Sequence, residues 1–258
     1  MVRLRCSLNH KIVGTVTPIY LSYLRELTPN TPGSPIDKIR RIFREVLILY
    51  PALFFMLNYT FIVYTLIFFL LLVALNAIYE IGYIYNDYVR IRYDEKPRKR
   101  VYINLIHPRL AVALRIVYLI TVGVALNFLV VSYILALALL VIAILNHNFR
   151  TRKIDKVTSL PLLRVAKYMF IPIAFSNLSL EEIAASLILI LPLLILESET
   201  IAWDIINHYE PLKTSLRKPY YAWFLTFLPF QLLLLLKYPP WIFTGEFLFI
   251  IMSGVRHI

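Results

Sequence analysis

Long apolar stretches separated by short polar connections make up most of the chain. A helix needs about 20 predominantly apolar residues to cross the hydrocarbon core of a bilayer. The pattern predicts about eight spans of this kind, near residues 41–58, 61–87, 108–126, 128–146, 160–176, 180–203, 220–236 and 240–254. Several connections are only a few residues long, and short connections favour antiparallel neighbours in a helix bundle. We therefore expect an all-α, polytopic membrane helix bundle.

The residues before the first span follow a different pattern. Residues 12–27 are too short and too polar to cross a bilayer, which predicts an amphipathic segment lying on the membrane surface. We expect residues 1–36 to form an N-terminal cytoplasmic or interfacial segment and residues 37–258 to form the transmembrane domain.

Composition agrees with a membrane protein. The chain is 60% hydrophobic with a mean hydropathy of +0.71, whereas a soluble domain is about 45–50% apolar. A single cysteine, Cys6, excludes an internal disulfide framework and a multi-cysteine metal site.

The formal net charge of +12 is concentrated in alternate connections. Basic residues cluster at 38–44, 90–100, 150–156 and 213–218, while the intervening connections have almost none, Lys237 being the exception. By the positive-inside rule, both termini and the basic loops face the cytoplasm. Topology and contact with anionic lipid account for these charges, so nucleic-acid binding is unnecessary.

The second predicted span ends in an unusual polar helix face. The residues on it are spaced by four, three, four, three and four, which is the spacing of one side of an α-helix: Asn76, Glu80, Tyr83, Asp87, Arg90 and Asp94. A charge at membrane depth costs about 2.5–3.5 kcal/mol on insertion scales. A polar face at this depth is therefore a functional hypothesis.

A second acidic segment ends the sixth predicted span. It contains Glu197, Glu199, Asp204, Asn207, His208 and Glu210. The predicted topology puts both segments on the cytoplasmic side, where they can converge on a shared cavity. Carboxylate and amide oxygens suit Mg²⁺, which commonly joins a few carboxylates to a substrate phosphate. Basic residues between the two segments can bind phosphate oxygens.

These two motifs resemble those of the UbiA superfamily of intramembrane prenyltransferases. In that family the second helix ends in NDxxDxxxD and the sixth ends in a second acidic motif. The chain has NDYVRIRYD from Asn86 to Asp94, with Arg90 where the family has an Asp, and DIINHYE from Asp204 to Glu210. The segment HNFRTRKIDKV after the fourth span resembles the family's basic loop. The resemblance covers roughly residues 37–255 and implies a bundle of eight or nine helices around a central cavity.

The resemblance implies Mg²⁺-dependent transfer of an isoprenyl group from a prenyl diphosphate to a hydrophobic acceptor. The implied metal ligands are Asn86, Asp87, Asp94, Asp204, Asn207 and Glu210, among which Asp87, Asp94 and Asp204 are the implied catalytic residues. The implied substrate-binding residues are Asn76, Glu80, Tyr83, Arg90, Arg100, Arg150, Arg152 and Lys153.

Other interpretations remain open at the level of the sequence. Because Arg90 replaces an acid, the chain is equally compatible with a catalytically impaired relative that binds or presents an isoprenoid lipid. A transporter using Glu80 and Glu197 as a relay predicts inverted repeats, and none is visible in the sequence. The structural interpretation of Glu80 is a buried salt bridge, with Arg115, Arg164 or Lys167 as the candidate partner. For Asp87 and Asp94 it is a pair of solvated acids at a helix end.

Overall fold

A computed structural model of the chain describes residues 8–18, 35–57, 59–90, 93, 105–150, 153–175, 179–209 and 220–254. Within these ranges the regular structure is entirely helical. The α-helices are α1 (Leu8–Val16), α2 (Pro35–Met56), α3 (Phe61–Tyr85), α4 (Pro108–Ala125), α5 (Val130–Phe149), α6 (Lys153–Phe175), α7 (Leu180–Tyr209), α8 (Tyr220–Leu232) and α9 (Thr244–Gly254). A π-helical turn, Asn86–Arg90, extends α3. Short 3₁₀ turns cover Asn127–Leu129, Leu233–Leu236 and Pro240–Phe243.

The helices follow the predicted apolar spans. Each predicted span overlaps one helix from α2 to α9, so the all-helical prediction is confirmed for the described residues. Three helical segments there are long and apolar enough to cross a membrane: Phe61–Val89, Pro108–Ala125 and Asn127–Phe149. Shorter apolar helices cover Val46–Met56, Phe224–Leu236 and Pro240–Ile251. The count of eight spans stays a prediction.

The outer surface of the three long segments is apolar. Their large exposed side chains include Ile62, Leu66, Ile120, Val124, Val131 and Ile142. An apolar surface of this extent is rare on a soluble monomer. It suits an environment of lipid tails, in which apolar side chains carry no solvation penalty.

Four helices form the centre of the bundle. Both α3 and α7 pack against α2 and α6, so α3 and α7 lie across from one another in this group. On the outside, α4 and α5 pack against α3, while α8 and α9 pack beside α7 and α2. Close backbone approach requires glycine where α9 meets α2. A Cβ atom at Gly245 would overlap the Leu47 carbonyl oxygen and lie 2.8 Å from Ile48 Cα.

Contacts between helix termini define two ends of the bundle. At one end, called here the Tyr59 end, the Tyr59 ring lies 5.5 Å from Phe175. The Ser132 hydroxyl donates to the Ala174 carbonyl there at 2.9 Å. At the other, called here the Arg115 end, the Asn148 amide donates to the Gly82 carbonyl at 3.5 Å.

The two ends fix the helix directions. α3 and α5 start at the Tyr59 end, where α6 finishes, and α7 begins only a few residues after α6 ends. Because α6 and α7 pack together across this short connection, they run antiparallel. Consecutive helices from α3 to α7 therefore alternate in direction. As a consequence α3 and α7 run in the same direction, and both end at the Arg115 end.

Candidate functional site

The described side chains cover part of the predicted site. Those of Asn76, Glu80, Tyr83, Asn86, Asp87 and Arg150 are described. Four further predicted residues lie in described helical backbone, but their side chains are outside the description: Arg90, Lys153, Asp204 and Asn207. The remaining four lie outside the described residues altogether: Asp94, Arg100, Arg152 and Glu210. Among described residues there is no cluster of three or more His, Cys, Asp or Glu side chains arranged to hold a metal ion.

The first acidic motif begins in the π-helical turn that ends α3. Asn86 and Asp87 are only 2% and 4% exposed, and the Asn86 side-chain amide donates to Asp87 Oδ1 at 3.1 Å. Turns of this kind are rare and occur frequently at functional sites. The polar face was predicted on the assumption that the helix has 3.6 residues per turn throughout. The wider π turn changes that angular step over residues 86–90, so the face is not a continuous α-helical stripe.

Two predicted substrate-binding residues lie earlier on α3. The Asn76 side-chain amide donates to the Leu72 carbonyl of the same helix at 2.8 Å. The Tyr83 ring makes an edge-to-face contact with Tyr79, with ring centroids 6.0 Å apart. Both Asn76 and Tyr83 are half-buried. Their substrate contact stays a prediction.

Glu80 forms a buried ion pair with Arg115 of α4. Glu80 Oε2 accepts from Arg115 Nη2 at 2.6 Å and from Nε at 2.8 Å, and both side chains are 0% exposed. A buried charge is costly unless it is paired and hydrogen-bonded. This geometry favours the structural interpretation of Glu80 as one half of a buried salt bridge, and the partner is Arg115. Substrate contact by Glu80 stays a prediction.

Arg115 also binds the N-terminal helix. Its guanidinium donates to the carbonyls of Thr15 and Gly14 at 3.1 Å and of Thr17 at 3.0 Å. The described helix of this region, α1, begins at Leu8 and ends at Val16. Part of the predicted surface segment is thus docked onto the bundle, while residues 19–27 lie outside the described residues.

Two hydrogen bonds connect α1 to the π turn. The Ile106 backbone N–H donates to the Thr15 hydroxyl at 3.3 Å. The preceding backbone N–H, of Leu105, donates to the Tyr88 hydroxyl at 3.1 Å. Because Tyr88 follows Asp87 directly, α1, the start of α4 and the acidic motif form one connected region.

A set of polar residues lies between α5 and α6 at the same end, and only Arg150 among them was predicted from the sequence to belong to the site. His147 Nδ1 and the Ser159 hydroxyl are 2.9 Å apart, and both side chains are buried. Nearby, Arg150 Nη2 donates to Asn146 Oδ1 at 3.3 Å. A signal was present, because Asn146, His147 and Asn148 follow a long apolar run, as Asn86 and Asp87 do.

Compared with protein-family models, curated proteins and solved structures, the chain has no significant match. Function is therefore inferred from the residues, their geometry and the sequence resemblance.

Proposed function

We propose that the chain is a Mg²⁺-dependent intramembrane prenyltransferase of the UbiA type. It moves an isoprenyl group from a prenyl diphosphate to a lipid-soluble acceptor. The observation that carries the proposal is the pair Asn86 and Asp87, which is buried in a π turn at the end of an apolar helix. The parallel course of α3 and α7 adds support, because α7 contains Asp204 and Asn207 of the second motif and ends at the same end of the bundle.

The described ligand atoms suit a hard cation. Asp87 offers a carboxylate and Asn86 an amide oxygen, and the Asn86 amide nitrogen already donates to Asp87. These are two of the six predicted ligands, and oxygen donors of this kind are the ones Mg²⁺ prefers. In the proposal Asp94, Asp204, Asn207 and Glu210 complete the set, directly or through water. When bound, Mg²⁺ would neutralise charge on the diphosphate oxygens.

The protein's own residues then bind and orient the substrate. Arg100, Arg150, Arg152 and Lys153 hold the diphosphate through charge-assisted hydrogen bonds. The bond between the allylic carbon and the diphosphate oxygen breaks, and pyrophosphate leaves with the electron pair. The acceptor forms a new bond to that carbon and releases a proton. Water exclusion by the apolar helices protects the allylic cation.

The proposal includes an orientation in the membrane. The three membrane-capable segments and their apolar outer surface support an integral membrane protein. At the Arg115 end α3 and α5 finish, and in the sequence the basic connections 90–100 and 150–156 follow these two helices. Basic connections mark the cytoplasmic side. We therefore assign both termini and the active site to the cytoplasm.

The test is pyrophosphate release by the purified, lipid-reconstituted chain. With geranylgeranyl diphosphate, Mg²⁺ and a panel of quinone precursors, aromatic acids and lipid alcohols, we expect turnover by the wild type. Asp87→Asn keeps the shape and removes the charge, and we expect its rate to fall by about a hundredfold or more. The matched control Glu181→Gln alters an exposed acid at the Tyr59 end, and its rate should equal that of the wild type.

Two outcomes would contradict the proposal. Equal rates for the wild type and Asp87→Asn would show that the Asp87 carboxylate takes no part in the reaction. Tight diphosphate binding without turnover across the whole panel would instead identify an isoprenoid-binding relative, as the arginine at position 90 allows.

A further inference from the structure

The N-terminal helix α1 docks through its small and polar side. Gly14 and Thr15 are buried against the bundle, whereas Ile12, Val13 and Val16 are 45%, 40% and 55% exposed. In water an amphipathic helix has the reverse orientation, with its apolar side inward. An outward apolar face is typical of a helix that lies in a membrane interface.

Arg115 fixes this orientation. The last carbonyls of a helix have no partner within the helix, and a cation near that terminus is favourable. Arg115 provides both a donor and a charge, because it binds the Gly14, Thr15 and Thr17 carbonyls while Glu80 neutralises it. These contacts set the rotation of α1 about its own axis, and that rotation turns Ile12 and Val16 outward.

The C-terminal end of α1 lies near the exposed apolar surface of a membrane-capable helix. The hydrogen bond from the Ile106 N–H to Thr15 brings the C-terminal end of α1 beside the start of α4. There Ile106 and Leu110 are exposed apolar residues on the outer surface of the bundle. Exposed apolar residues of α4 thus lie close to the C-terminal end of α1 at the Arg115 end.

The charge of the N-terminal region indicates which lipid surface it meets. Residues 1–18 contain the basic residues Arg3, Arg5 and Lys11 and no acidic residue. Basic residues beside an interfacial apolar helix attract anionic headgroups. We propose that α1 is an interfacial anchor helix, clasped to α4 by Arg115, whose Ile12, Val13 and Val16 face lies in the headgroup region of an anionic bilayer. This role does not depend on the reaction proposed above.

Site-specific fluorescence quenching in nanodiscs tests the lipid contact. Cys6→Ser removes the single cysteine, after which Ile12→Cys is labelled with an environment-sensitive fluorophore. The control is Glu181→Cys in the same background, since Glu181 is an exposed polar side chain at the Tyr59 end. We expect lipid-borne doxyl groups to quench the label at position 12 at least about twofold more than the control label. The difference should be larger in phosphatidylglycerol than in phosphatidylcholine.

Either of two results overturns the lipid contact. One is quenching of the position 12 label by aqueous iodide to the same extent as the control label. The other is shielding from both quenchers that depends on protein concentration, which would identify a second copy of the chain as the partner.

Hydrogen exchange tests the clasp. In Glu80→Leu/Arg115→Met, apolar side chains replace the buried pair, and the donors to α1 are lost. We expect amides of residues 8–18 to exchange about tenfold faster or more, while α3 and α4 keep their protection. The matched control, Glu181→Leu/Lys237→Met, should leave exchange in α1 unchanged. If the α1 amides of the first variant keep their protection from exchange, Arg115 does not hold α1 against α4. The quenching experiment retains the native pair and decides the lipid contact even if this variant does not fold.

Discussion

Two ion pairs at opposite ends of the bundle each join a glutamate to a basic side chain, but their surroundings are very different. At the Arg115 end, Glu80 and Arg115 are both 0% exposed, and Arg115 donates to four backbone carbonyls in addition. At the Tyr59 end, Lys237 Nζ lies 2.5 Å from Glu181 Oε2, with side chains 56% and 60% exposed. A contact distance therefore does not distinguish the two pairs, whereas burial does.

Burial changes what each pair does. An exposed pair contributes about 0–1 kcal/mol, because water solvates both charges whether or not they meet. A buried pair makes each partner depend on the other, because removing one leaves an uncompensated charge without water. Glu80 and Arg115 thus tie α3, α4 and α1 together. Glu181 and Lys237 only join the start of α7 to the connection before α9.

The largest expected effect follows from removing one partner of the buried pair. Arg115→Met leaves the Glu80 carboxylate buried without its cation, and we expect the free energy of unfolding to fall by about 3–5 kcal/mol. Lys237→Met is the matched control, with an expected change within about 0.5 kcal/mol. Denaturant unfolding in detergent, followed by circular dichroism, measures both. Equal changes in the free energy of unfolding of the two variants would contradict the proposed difference between the buried and the exposed pair.

The double variant Glu80→Leu/Arg115→Met separates burial of charge from packing. Because neither buried charge remains, we expect it to recover most of that loss and to be more stable than Arg115→Met by about 3–5 kcal/mol. The same unfolding measurement applies. A double variant less stable than Arg115→Met would mean that the pair is retained for more than mutual neutralisation.

A smaller effect on stability is expected at Thr15, whose backbone carbonyl accepts a hydrogen bond from Arg115. Thr15→Val removes the hydroxyl that accepts from the Ile106 N–H, and we expect a loss of about 1 kcal/mol. Thr121→Val is the control, since the Thr121 hydroxyl is exposed and donates only to the Val117 carbonyl of its own helix. Thermal unfolding of the two variants side by side makes the comparison. An equal or larger loss in Thr121→Val would contradict a stabilising role of the Thr15 hydrogen bond.

The smallest effect on stability is expected when pH is varied, and it arises from the ion pair at the Tyr59 end. The hydrogen bond to Glu181 raises the pKa of Lys237 above its usual value. A raised pKa means that the stabilisation is present below the lysine's ordinary pKa of 10.5, and is lost as pH rises through the folded value. We therefore expect a slight loss of stability only above that pH, which Glu181→Gln abolishes and high salt weakens. A transition of equal size near neutral pH would point to a different group.

Helix positions could be read from the sequence because hydropathy reports them directly. The span predicted at 108–126 is α4, Pro108–Ala125. The predicted span 61–87 is α3 together with the beginning of its π turn. That turn could not be predicted, since a change from 3.6 residues per turn leaves no mark in the pattern of apolar residues.

Pairing and docking were less predictable. From the sequence, Arg115, Arg164 and Lys167 were all candidate partners for Glu80. The sequence could not select one, because the pairing depends on how neighbouring helices rotate and pack. A surface segment at residues 12–27 was predicted, but hydropathy does not indicate that its Gly14 and Thr15 dock onto α4 through Arg115. His147 and Arg150 lie in the basic segment that the resemblance singled out, but no spacing in the sequence connected His147 to Ser159.

In the proposed function, the ends of α3 and α7 share one metal ion. Electron paramagnetic resonance of Mn²⁺, titrated with a non-reactive prenyl diphosphate analogue, measures metal affinity in the wild type, Asp87→Asn and Asp204→Asn. We expect each variant to bind Mn²⁺ at least about tenfold more weakly, since each loses one carboxylate ligand. Wild-type affinity in Asp204→Asn, together with weakened binding in Asp87→Asn, would contradict a metal shared between the two helices.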